Sequence, residues 1–303
     1  MFVDSQVTQS RTHTGTGVTK SKSPFRLSME RFFHNPLAVA GLVILALITF
    51  VTIFPQLFTH FSPSTPDIMN TDALPTALHP LGTDSSGYDN LARLLYGGRV
   101  DLTVAFAAAS MSMILGTVYG GVSGFFGGWI DNLLMRFVDI MLNFPFIILV
   151  LVMESILNVA SAWMLVLVVG ITAWPGPARL IRGLFLQIRE QDYVIGARTI
   201  GASRWRIIFR HMLPNSMSFI IVLVSFQVAA YVGLDAALSF LGIGVPISVP
   251  SWGGILNTTT DYLTMKTEPY AWMPPAVMIV LAILSVNFIG DGLRDAFDPQ
   301  SQA

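Results

Sequence analysis

The chain has 303 residues, of which 53% are apolar and 12% charged, with a net charge of −1 and no cysteine. Soluble domains carry about a quarter charged residues, so this composition belongs in a bilayer rather than in water. The missing cysteine excludes a disulfide framework, a zinc–thiolate centre and a thiol nucleophile, and the near-neutral charge excludes a broad basic surface for nucleic acid.

Residues 1–30 form a Ser/Thr/Gly-rich tail that turns basic toward its end, and its first 23 residues lack any apolar period and are expected to be disordered. Gly15 to Ser21 resembles a phosphate loop, but Thr19 stands before Lys20 where glycine is required, and no strand precedes it. The chain therefore shows no nucleotide site of its own. Phe32 and Phe33, beside Arg31, suit a membrane surface, and residues 31–60 make the entry segment and first span.

Crossing the ~30 Å of hydrocarbon takes roughly 20 apolar residues. Six stretches qualify: Leu37 to Phe58, Leu102 to Phe126, Phe137 to Met153, Ser155 to Ala178, Met212 to Leu234 and Pro269 to Gly290. The fold class expected is an all-α polytopic membrane protein of six helices. Fourteen of the seventeen Lys and Arg residues fall in the two tails, the turn between spans two and three, and the loop after span four. By the positive-inside rule both termini and that loop are cytoplasmic.

The first external loop, 61–99, holds Gly82-Thr83-Asp84 and Asp89. Asp84, Ser85 or Ser86 is expected to cap a short helix carrying Leu91, Leu94 and Leu95, ended by Gly97-Gly98. Capping is the reading preferred over cation binding for Asp84 and Asp89. In span two Gly116, Gly120, Gly124 and Gly128 recur every fourth residue, which places one smooth face against another helix. Span three carries Asp139, three residues after Arg136 and suited to pair with it, and Pro145, which predicts a kink near Asn143. Glu154 lies near the far end, and Trp174-Pro175-Gly176-Pro177 breaks the chain before Arg179.

The stretch 179–215 holds seven arginines. A helix from about Gln187 to Ile200 is expected to end at Gly201, which tolerates positive φ. Ser203 then caps a second helix, Arg204 to Met212, stopped by Pro214, with Leu213 pushed out of the α region. A bent helix pair has no use as a mere connection between spans. It suits a socket on another protein. Beyond it, span five carries Gln227, Tyr231 and Asp235. Two readings of Asp235 stand: an acid lining a translocation path, or an acid pairing with a neighbouring helix or water. Trp252 and Trp272, in the second external loop from Gly242 to Trp272, suit a membrane interface.

Ile195-Gly196-Ala197, then Gly201-Ala202-Ser203 and His211-Met-Leu-Pro214, resembles the coupling loop of ABC-importer permeases, with Ile195 where that family has Glu. Gly82-Thr83-Asp84, Gly97-Gly98-Arg99, Leu234-Asp235 to Gly242 and Gly290-Asp291 to Pro299 resemble the second membrane subunit of dipeptide, oligopeptide and nickel importers. The resemblance, which covers about residues 31–299, implies a type I importer permease fold with a core over 100–293 and a cytoplasmic tail over 294–303. It implies ATPase coupling through Ile195, Gly196, Ala197, Gly201, Ala202, Ser203, Arg204, His211 and Pro214. A path through Gln227, Tyr231 and Asp235 is the accompanying expectation. The expected partners are a second permease subunit, two ABC ATPases carrying ATP and Mg, an extracytoplasmic solute-binding protein and membrane lipid, in a bacterial inner membrane. Neither a metal, a catalytic residue nor a cofactor is expected on this chain. A self-sufficient secondary transporter is the alternative. The five histidines show no metal spacing or hydrolase pairing.

Overall fold

The computed structural model describes residues 24–157, 161–246 and 248–297, so most of the N-terminal tail and the last six residues lie outside it. Every regular element among the described residues is helical. Helix α1 (Pro24–His34) runs into α2 (Pro36–Ile53) through Asn35, whose side chain accepts from Leu37 N and Ala38 N at 3.0 and 3.2 Å. Pro36 at the first turn has no N–H to leave unpaired. Phe32 is buried near Ala38 and Ala296, while Phe33 is exposed, so only one of the two aromatics is free for a membrane surface.

The bundle is built around α3 (Asn90–Phe126), which packs on α2 and on every long element that follows except α5. At 1.5 Å per residue its 37 residues reach about 55 Å, more than a bilayer core. The cap is Asp89, which accepts from Ala92 N at 2.6 Å. The expected stop at Gly97-Gly98 is corrected: the helix runs straight through. A Cβ on Gly98 would lie 2.4 Å from the Trp252 ring and 2.5 Å from the Thr52 methyl, so these glycines serve close approach rather than termination. Trp252 is fully buried there, its indole N–H donating to Leu94 O at 2.9 Å, which corrects its expected interfacial place.

At the other end Gly127 and Gly128, both at positive φ, turn the chain into α4 (Gly128–Asn143). Gly128 therefore leaves the glycine face, and of the four spaced glycines Gly116, Gly120 and Gly124 meet α7 (Pro175–Arg189). A bend of 86° at Phe144-Pro145 separates α4 from α5 (Phe146–Leu157), at the expected kink. A 45° bend at Trp174 separates α6 (Ala162–Ala173) from α7. Two short helices, α8 (Asp192–Thr199) and α9 (Arg204–Ile207), lead through a π turn at Ile208–Met212 into α10 (Leu213–Phe240). The small α11 (Trp252–Thr258) and α12 (Tyr262–Thr267) precede α13 (Pro269–Phe297).

Among the described residues, four helices are long and apolar enough to cross a membrane alone, and the count reaches six when each bent pair is one span. Their main core joins Val104, Ala105 and Ala108 of α3 to Leu165 and Val169 of α6 and to Val228 and Val232 of α10. A separate cluster lies around Phe125, Ile181 and Phe185, where α3 and α7 meet the segment 192–212.

Candidate functional site

The segment 190–212 forms a corner fixed on its inner side and open on its outer side. Its first part differs from expectation: α7 ends at Arg189, a turn follows at Glu190-Gln191, and α8 begins at Asp192. Gly201 then takes φ +81°, as its place after the helix requires, and Ala202 N donates back to Ala197 O at 3.0 Å. Ser203 caps α9 by accepting from Arg206 N at 3.4 Å. The expected stop at Pro214 is corrected. Leu213 keeps α geometry, φ −59° and ψ −47°, and α10 continues from it. The wider π turn, in which Leu213 N–H bonds to Ile208 O, makes room for the proline ring that an ordinary turn would reject. Asn215 Nδ2 donates to His211 O at 2.6 Å, satisfying a carbonyl of that turn.

Val194, Ala197, Ile207 and Met212 bury the corner's inner side against Ile181 and Phe185 of α7 and Phe125 of α3. The Arg198 guanidinium lies 5.4 Å above the Phe125 ring, and that of Arg204 lies 5.7 Å from Phe126. The outer side carries Ile200 at 85% exposure, Trp205 at 65%, Phe209 at 60% and Ile195 at 46%. Trp205 and Phe209 stack with ring centroids 5.9 Å apart. A Cβ on Gly196 or Gly201 would meet nothing within 4 Å, so the space outside both is open. Ala202 and His211 are half-buried, and Ser203, Arg204 and Pro214 are exposed. Eight of the nine sequence-selected positions thus lie on the corner, with Ala197 on its inner side, and Pro214 stands in the first turn of α10.

Two ion pairs tie α4 to the helix that leads into this corner. Arg182 of α7 grips Asp131 of α4 with both arms, at 2.5 and 2.6 Å, and Ser123 donates to the same carboxylate. Arg179 donates to Asp139 at 2.7 Å, so the expected Arg136–Asp139 pairing is replaced by one between helices. Asp131 and Arg182 were not singled out by sequence. An acid three residues past a double glycine and an arginine after Trp-Pro-Gly-Pro were the available signals.

The other sequence-selected group lies inside the bundle. Tyr231 is buried and its hydroxyl donates to Ser112 Oγ of α3 at 3.1 Å. Asp235, 3% exposed, faces Asp101 of α3, itself buried and accepting from Trp252 N at 2.8 Å. Neither Asp235 oxygen has a hydrogen-bond donor among the described residues, and Gln227 Oε1 and Glu154 Oε1 are likewise buried without one. Tyr231 and Asp235 are thus buried on the side of α10 that meets α3. Sequence reading passed over Asp101, whose signal was an acid standing between Gly-Gly-Arg and a long uncharged span.

At the far end of α3 the loop 58–89 is held by polar contacts. Asp89 accepts from His79 Nδ1 at 2.8 Å besides capping the helix, and Asp84 pairs with Arg93 at 3.4 Å. Capping, the preferred reading for these acids, is made by Asp89, while Asp84 accepts from Ser86 N and Tyr88 N within the loop.

Comparison with known proteins places this architecture. The model of the binding-protein-dependent transport system inner membrane component matches residues 112–302, and that of the N-terminal TM domain of oligopeptide transport permease C matches residues 23–80. The chain is 36% identical to the oligopeptide transport system permease protein OppC of Bacillus subtilis (strain 168), over 93% of this chain and 91% of that one. It is also 36% identical to the dipeptide transport system permease protein DppC of Alkalihalophilus pseudofirmus, over the same shares. A solved chain of the MetNI methionine ABC transporter, in inward-facing conformations, superposes with a TM-score of 0.56 at 19% identity, covering 68% of this chain and 97% of that one, and shows the fold alone. The chain belongs to the family of binding-protein-dependent transport system inner membrane components, as a peptide-type ABC-importer permease subunit.

Proposed function

We propose that this chain forms one half of a translocation path for di- or oligopeptides and transmits ATP-driven motion to it through the corner at 190–212. The supporting observation is the corner's two-sidedness. Its inner side is packed on α3 and α7, while Ile195, Ile200, Trp205 and Phe209 are presented outward among Arg198, Arg204, Arg206 and Arg210. Exposed aromatic and aliphatic groups ringed by arginine are the make-up of a binding hot spot. In this reading an ATPase subunit seats the ridge in a groove, with Ile195 against an apolar wall. Gly201 and Ser203 fix the angle between α8 and α9, and Arg182 and Arg179 pull α4 along when α7 moves.

ATP and Mg belong to two partner ATPases, and this chain catalyses nothing. A second permease subunit supplies the other half of the path, and an extracytoplasmic binding protein delivers the cargo. Each bent pair crosses once, which gives six spans and puts both termini in the cytoplasm of a bacterium, with the corner and the loop 58–89 on opposite sides. That arrangement agrees with their places at opposite ends of α3. The peptide cargo rests on the names of the relatives, which include both oligopeptide and dipeptide systems.

Isolation of this chain from its native membrane in mild detergent tests the reading. Co-purification of a second multi-span permease and of ATPase subunits is expected, with peptide bound to the retained binding protein. Recovery of this chain alone across several detergents would contradict it, favour a self-sufficient transporter, and make Asp235 the next residue to change.

A further inference from the structure

The motif Gly97-Gly98-Arg99 is only two-thirds explained by packing. Its glycines let α11 and α2 approach α3, whereas Arg99 is exposed and makes no ion pair among the described residues. It stands at the end of α3 that bears the loop 58–89, the side poor in Lys and Arg. The two other cations on that side differ from it: Arg93 is buried on Asp84, and Lys266 closes the short α12.

Arg99 lines the mouth of a furrow of about 430 Å³ between α2 and α3. Below it the walls are Ile53, Leu102 and Phe106, with Thr49 and Thr52 on the α2 side. Helix α2 is the most peripheral of the long helices: Val43, Leu47, Phe50 and Ile53 point outward from the bundle, so the furrow opens sideways to the acyl chains. A second furrow on α3, against α10, is of similar size, about 370 Å³, but holds no charged residue. A third, between α10 and α13, holds Arg294, but Asp291 and Asp295 flank that residue in sequence. Of these three furrows, the one at Arg99 joins apolar walls to a guanidinium that has no ion pair among the described residues, since Asp101, two positions on, is turned inward to Trp252 N.

We infer that the α2–α3 furrow is a phospholipid site, in which Arg99 binds the phosphodiester and one acyl chain lies along Leu102 and Phe106. The guanidinium fork matches two phosphate oxygens and is more weakly hydrated than an ammonium, so it suits the headgroup level. A charge left at the edge of hydrocarbon is costly without a partner, and a lipid phosphate supplies one at the right depth. The bound lipid fills the furrow between α2 and α3 and steadies α2 against the bundle.

The test is native mass spectrometry on the complex purified with its partner subunits, stripped of lipid and titrated with dioleoyl-phosphatidylglycerol. Arg99→Gln is expected to weaken the tightest lipid equivalent about tenfold, the loss of one charge-assisted contact. Dioleoylglycerol, with the same chains but no phosphate, is expected not to compete. Phe106→Trp, which fills the furrow and leaves Arg99 in place, is expected to lose the same equivalent, and it keeps the test available if Arg99→Gln does not assemble. Unchanged affinity in either variant overturns the site, as does equal competition by dioleoylglycerol. Side chains of the second permease subunit filling the furrow in a density map would also overturn it.

Discussion

The corner at 190–212 and the contact between α3 and α10 invert ordinary placement in opposite ways. The corner shows Ile200 and Trp205 outside the bundle, where apolar groups are usually hidden, while the α3–α10 contact hides Asp101 and Asp235, where acids are usually absent. In the corner the proposed cause is a cover supplied by an ATPase subunit. In the interior the setting is this chain's own: Asp101 accepts from Trp252 N–H, and Asp235 faces Asp101. A side chain out of place thus has two explanations, a partner outside or a partner inside, and burial tells them apart.

Changes at five positions break or sharpen that contrast. The largest effect is expected from Gly120→Leu, because a Cβ there would lie 2.2 Å from Ala178 O and force α3 from α7. Overpacking of this kind costs about 1–3 kcal/mol or more, and thermal unfolding of the complex should fall with loss of assembled protein. Next is Asp131→Ala, which strands Arg182 and is expected to cost roughly 1–3 kcal/mol, discounted because the Arg182 side chain keeps 32% of its exposure. Arg182→Ala should lose a similar amount, and the double variant should lose less than the sum of the two.

The corner should behave in the opposite way, with small stability effects and large functional ones. Gly201→Val forces a β-branched residue to φ +81°, at a cost of about 1–2 kcal/mol, and is expected to leave insertion intact while transport per ATP hydrolysed collapses. Transport at the normal rate in that variant would count against the docking role. Ile195→Glu and Ile195→Lys should leave stability within about 0.5 kcal/mol yet lower coupled transport. Wild-type coupling in both would show that Ile195 meets no apolar wall.

Much of this organisation was legible from residue types. The bend at Pro145, the break at Trp174, positive φ at Gly201 and the cap at Ser203 follow from local chemistry, and local chemistry survived folding. What failed did so where a distant element overrode a local signal. Gly97-Gly98 looked like a helix stop because the approaching Trp252 lies more than 150 positions away in the chain. Pro214 looked like a stop because a π turn leaves no mark on residue choice. Asp139 found Arg179 across a helix contact rather than Arg136 one turn back. Of the candidate site, the corner's shape was readable because glycine, a capping serine and hydrophobic residues stand together in a basic segment. The acid Asp101 was not, because its meaning comes only from the helix it faces.

The most direct test of the central claim uses the chain's lack of cysteine. Ile200→Cys places a single thiol on the corner's most exposed apolar position, and Met69→Cys places one at 91% exposure in the loop at the opposite end of α3. With a short bifunctional cross-linker in membranes holding the whole complex, Ile200→Cys should capture an ATPase subunit, in a yield that changes with ATP, and Met69→Cys should capture none. Cross-linking of the ATPase from Met69→Cys, or its absence from Ile200→Cys while the complex still hydrolyses ATP on transport, would contradict the assignment of this corner as the coupling surface.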